Sequence, residues 1–324
     1  MAQNTKIVGT VADGQGQVIR LLAFDDFISK KIITLGESKI SNDGSFLVEF
    51  DLKDTIRTFI DINYQRAELF LEPGKTYELN IAYNPANQLE SYFDRQGLVF
   101  DFVEDDPLEL NRMIWKFNEM YNTFILENFE HIVKLKDKAR VSDFEAQISE
   151  EFNDSVHPYL NDYINYKMAD VYQFARLKGK SVLANEYFVG KAVLYENVEY
   201  SFFFEEFFEK FLTTNPDLIT ISDLIIAVND KQDIQPILDA LYAIPWLHDP
   251  VFRELVLIHG LKGLYHNGTY KKSAVLAMIK DIYEKTSDPM HRRITTKLLE
   301  TLSHLAPGTP APDLELISIA GQPF

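Results

Sequence analysis

The sequence predicts an α+β chain, with an N-terminal antiparallel β-sandwich, an all-α helical domain and a short terminal strand segment. Three observations predict it. Short runs rich in Val, Ile, Phe and Tyr fill residues 1–103, helical spacing and capping signals fill 104–305, and 306–324 returns to a strand pattern after a proline and glycine break. Strands first and helices second argue for separate domains at 1–103, 104–305 and 306–324 rather than an alternating sheet.

The runs KIVGTVAD, QVIRLLAF, GSFLVEFDL, RTFIDINY, AELFLE, TYELNIAY and GLVFDF read as strands, several with the period-two alternation of half-buried sheets. Turn chemistry separates them. Asp43-Gly44 suits a hairpin, Pro73-Gly74 suits a type II turn, and Gly14 and Gly16 suit another hairpin.

Helix starts are marked from Asp106 onward. Asp106-Pro107, Asp249-Pro250 and Asp288-Pro289 each place an N-cap acceptor before a proline at the first helical position, and Ser142 with Glu145 fits a capping box. Phe144, Ile148, Phe152, Tyr159 and Tyr163 follow helical steps, as do Met290, Ile294, Leu298, Leu302 and Leu305. Pro158 should kink or split the first of these helices. Residues 251–266 are apolar around much of the circumference and predict a central buried helix.

The 46% hydrophobic content of these 324 residues supports a sizeable core, and 24 Phe and 16 Tyr predict aromatic-rich helix packing. A net charge of -17 argues against nucleic acid and anionic lipid as partners. With no cysteine, these residues form no disulfide, Cys-ligated zinc site or catalytic thiol. No stretch has the apolar length of a transmembrane segment. The Ala2-Gln3 junction is the kind left by signal-peptide removal, which points to an exported chain with its leader removed.

Candidate chemistry meets a simpler explanation at each place. His259 and His266 lie two turns apart with Glu254 nearby, yet without metal-site spacing, so core packing and a helix-end position account for them. Phe204, Phe207, Phe208 and Phe211 form a stripe opposite Glu205, Glu206, Glu209 and Lys210, as a docked amphipathic helix requires. The acidic run at 102–109 lacks a calcium loop and coincides with a helix start. The glycines at 9, 14 and 16 have the wrong spacing for a dinucleotide, and the sequons at Asn153 and Asn267 matter only in a eukaryotic secretory pathway. No residue is assigned a catalytic, cofactor-binding or metal role.

The segment LAPGTPAPDLELISIAGQPF resembles the lead-in of a thioredoxin-like domain of the TlpA/ResA or peroxiredoxin-related type, through Gly308, Ala311, Pro312, Asp313, Leu314, Leu316 and Gly321. Leu314 stands where that family usually has an aromatic residue. The β-rich front and the helical stretch from Asp249 resemble the regions that precede such domains in exported bacterial proteins. The resemblance implies that 306–324 starts a truncated thioredoxin-like domain whose CxxC pair lies beyond Phe324. It also implies a non-catalytic region of a periplasmic or cell-envelope thiol-disulfide oxidoreductase, with protein or peptide substrates as partners, or self-association. The rival expectation is a stand-alone periplasmic module binding a glycan or peptide.

Overall fold

The computed structural model describes residues 2–86, 97–153 and 157–303. Two four-stranded sheets precede a helical region. One sheet has the order β4-β1-β7-β8, from β1 (Gln3–Ala12), β4 (Ser45–Leu52), β7 (Thr76–Ala82) and β8 (Val99–Phe102). The other has the order β3-β2-β5-β6, from β2 (Val18–Phe24), β3 (Ile32–Lys39), β5 (Ile56–Ile62) and β6 (Gln65–Leu71). The expected α+β sandwich is present.

Alternation explains the first sheet. Phe46, Val48, Phe50 and Leu52 of β4, with Tyr77, Leu79 and Ile81 of β7, point into the sandwich core while their neighbours are exposed. The second sheet is buried on both sides in part. Leu69 and Leu71 enter the sandwich core, whereas Phe70 between them enters the helical core. That sheet is therefore the middle layer.

Two connections differ from the expectation. The turns at Gly14–Gly16 and Asp43-Gly44 form, but each carries the chain from one sheet to the other and closes no hairpin. Pro73-Gly74 does likewise, with Gly74 at φ 77° as a type II turn needs. As a result β1 and β7 pair in parallel, from Lys6↔Thr76 to Ala12↔Ala82, within otherwise antiparallel sheets. The tight hairpin instead sits at Asn63-Tyr64, both at positive φ (49° and 67°), joining β5 to β6. β3 matches none of the expected runs. Its polar Gly36, Glu37 and Ser38 suit a half-exposed edge strand.

The helices are α1 (Leu110–Val133), α2 (Lys138–Glu151), α3 (Pro158–Phe174), α4 (Lys180–Tyr187), α5 (Val198–Phe207), α6 (Phe211–Thr214), α7 (Ile221–Ile225), α8 (Gln235–Tyr242), α9 (Pro250–Tyr265), α10 (Lys272–Lys285) and α11 (Pro289–Ser303). Asp249 caps α9, accepting from Phe252 N at 2.7 Å, and Asp288 accepts from Met290 N and His291 N at the start of α11. Pro158 splits the helical pattern between α2 and α3. α9 is central, with Leu255, Val256, Leu257 and Ile258 consecutively buried.

Two helix starts are corrected. Ser142 and Glu145 lie inside α2, which begins four residues earlier under Asp137, so no capping box forms there. α1 is capped by Glu109, which accepts from Asn111 N and Arg112 N, while Asp106 turns the chain before it by accepting from Leu108 N at 2.9 Å. The phenylalanine helix is also shorter than expected. α5 ends at Phe207 and Lys210 is left-handed (φ 52°), a reversal that brings Phe207, Phe208 and Phe211 all to within about 6 Å of Trp246. Leu305 and the strand expected at 306–324 lie outside the described residues.

Candidate functional site

The outer face of the middle sheet is only partly covered by helices, and α5 overhangs it. Between them lies a cleft of about 340 Å³ lined by Phe24, Asp26, Lys30, Arg57, Phe59, Tyr195, Glu196, Ser201, Phe202 and Glu205 among others. An adjoining groove of about 320 Å³ shares Phe24 and Phe59 and reaches Ile32 on the edge strand β3.

Strand periodicity puts the floor there. Ile60 and Ile62 of β5 point into the sandwich, so Arg57 and Phe59 face the opposite way. β2 pairs with β5 without a register shift, Leu22 opposite Phe59, so Phe24 two residues further on falls on the same side. The Phe24 and Phe59 rings meet edge to face at 5.8 Å. The Arg57 guanidinium lies 4.9 Å from the Phe59 ring centroid and 5.8 Å from that of Phe202, while its Nε donates to Glu68 at 2.5 Å. Phe202 is the exposed member of the phenylalanine run, 46% accessible, because it lies off the stripe that packs inward.

The turn after β2 supplies the other wall. Asp26 accepts from Ile28 N at 2.9 Å, from Ser29 N at 2.6 Å and from the Ser29 hydroxyl, which fixes the loop that presents Lys30. Lys30 Nζ pairs with Glu205 at 2.6 Å across the cleft. Beneath it, Asp25 takes two bonds from Arg293 of α11, at 2.7 and 3.1 Å.

Glu196 has its carboxyl pushed up to about 6, chiefly by burial and partly offset by Arg293. A raised folded-state value means that stability is fully present below the ordinary value near 4.5 and is lost as pH rises through about 6. Glu196→Gln should therefore be more stable than the parent by about 1 to 2 kcal/mol at pH 7, with the difference closing below pH 4.5. Urea titrations at pH 4 and pH 7 check this; an equal gain at both would contradict it.

His259 and His266 line one cavity beside α9, but Glu254 does not join them. Glu254 engages the fully buried His291 (2.6 Å), whose other ring nitrogen meets the Tyr195 hydroxyl at 3.1 Å. His259 stands edge to face with Phe204 at 5.5 Å, and His266 caps the exposed end of α9. The acidic run is used in capping and in an Arg112–Asp105 pair. Among the described residues no group of three or more His, Asp or Glu side chains is arranged to hold a metal ion. No helix among them is long and apolar enough to cross a membrane. A scan against protein-family models and a search of curated proteins both find no match to this chain.

Proposed function

We propose that this chain is the non-catalytic, substrate-holding region of an exported thiol-disulfide oxidoreductase, and that the cleft between the middle sheet and α5 receives an extended, basic polypeptide segment. The redox assignment and the periplasmic or cell-envelope location rest on the sequence resemblance, whose terminal motif lies outside the described residues. The binding role rests on the cleft.

The observation that carries the binding role is an aromatic groove reaching an open strand edge. A strand added along β3 finds unpaired main-chain donors and acceptors, and alternate side chains of the added strand find Phe24, Ile32 and Phe59. Lys30 and Arg57 in the cleft are already paired with Glu205 and Glu68, so the chain's net charge of -17 favours basic segments. A sugar ring could stack on the same aromatic pair but would leave the strand edge unused.

Reduced, carbamidomethylated ribonuclease A, an unfolded basic chain with blocked thiols, is the probe. It should bind saturably where folded ribonuclease A does not, and Phe24→Ser with Phe202→Ser should weaken binding at least about tenfold, the equivalent of one or two lost aromatic contacts. Equal binding by variant and parent would overturn the assignment of the site.

A further inference from the structure

A second cavity, of about 560 Å³, opens on the far side of Glu205 between the C-terminal half of α9 and the α5–α6 turn. Phe208, Phe211, Leu212 and Leu264 give it apolar walls. Two glycines of α9 shape it. A Cβ on Gly260 would meet Leu212 Cδ1 at 2.5 Å, so glycine lets Leu212 lie against the helix, whereas Gly263 has open space where its Cβ would stand.

The polar end is under-satisfied. Lys262 reaches its carboxylate partner Glu205 only at 3.6 Å, because the other oxygen of Glu205 is held by Lys30 at 2.6 Å. Two ammonium groups thus share one carboxylate. Asp26 is engaged by its own turn, and Glu209 on the cavity rim pairs with Lys210 at 2.8 Å. One turn before Lys262 on α9, His259 also lines the cavity, and its Nδ1 is buried without a hydrogen-bond partner among the described residues. Burial and the neighbouring lysines bring the imidazole down to about 4, so it is neutral at pH 7, and burial also lowers Lys262.

An ammonium with a long ion pair at the end of an apolar chamber defines an amphipathic anion. We propose that this cavity binds an organic monocarboxylate with an apolar body, its carboxylate on Lys262 beside the neutral His259 ring and its hydrocarbon along Phe208, Phe211 and Leu264. The negative charge of the whole chain does not prevent this, since at 0.1 M salt distant charges are screened beyond about 10 Å.

The test is calorimetric titration of the chain with decanoate, with decan-1-ol as the uncharged comparison. Decanoate should bind saturably and decan-1-ol at least about tenfold more weakly, the worth of one charge-assisted contact. Lys262→Met keeps the stem and removes the charge, and should weaken decanoate by a similar factor. Gly263→Leu places a side chain in the open space and should abolish binding while raising the melting temperature, since leucine favours a helix over glycine. Glu205→Gln frees both lysines and should tighten binding. Equal affinity for acid and alcohol, variants that bind like the parent, or no saturable binding would each overturn the proposal. None of these readouts involves the unfolded-protein probe, so the two sites stand or fall separately.

Discussion

Replacing Asn111 by leucine should lower the unfolding free energy by about 3 to 5 kcal/mol, since two buried backbone groups lose their partners at about 1 to 3 kcal/mol each. β6 is the last strand of the middle sheet, so one side of its backbone has no neighbouring strand. The fully buried Asn111 takes that place. Its Oδ1 accepts from Phe70 N at 2.6 Å, and its Nδ2 donates to Phe70 O at 2.8 Å and to Glu109 Oε1 at 2.8 Å. Leucine fits the volume and supplies neither contact. A urea titration with an unchanged slope and a lowered midpoint is expected; a loss below about 1 kcal/mol would mean that water or another side chain substitutes for the amide.

The second large effect is expected at Phe204. Its ring is fully buried and lies 4.8 Å from Phe208, 5.5 Å from Phe27, 6.0 Å from Phe252 and 6.1 Å from Phe188. Phe204→Ala should cost about 3 to 5 kcal/mol, the range for removing a buried phenyl ring. Phe27 comes from the turn after β2, so the loss falls on the junction between sheet and helices as well as on the helical core. The two tryptophans report on both sides. Trp115 packs on Phe100 and Phe102 of β8, and Trp246 on the phenylalanines of α5 and α6. Single-tryptophan variants carrying Phe204→Ala should shift in parallel, and a shift confined to Trp246 would show that the junction does not couple them.

Local chemistry was legible where a single segment decides the outcome. The alternation of β4 and β7, the caps at Asp249 and Asp288 and the split at Pro158 all follow from residues within a few positions of one another. Ser142 misled because its spacing to Glu145 suits a cap, while Asp137 had already started the helix. Asp106-Pro107 misled because an aspartate before proline also makes a turn, and Glu109 was the better-placed acceptor. The parallel pairing of β1 with β7 depends on three turns changing sheets, which no short window contains.

The cleft was not legible. Arg57, Phe59 and Phe202 meet only after β5 and α5 pack together, and none of them carries a motif. One signal was present: Phe202 falls off the apolar stripe of Phe204, Phe207, Phe208 and Phe211, and a large apolar side chain off the stripe faces solvent or a partner. Lys262 and His259 were equally silent. Their significance lies in what Glu205 and the surrounding walls fail to supply, which a sequence does not display.

The central claim is that the cleft beside β3 holds an unfolded polypeptide, and amide hydrogen exchange tests it most directly. With saturating reduced, carbamidomethylated ribonuclease A, added protection should be confined to residues 24–39, 56–59 and 195–205, the segments that form the cleft, the groove and the edge strand. Protection elsewhere on the chain, or none while the probe is bound, would contradict it.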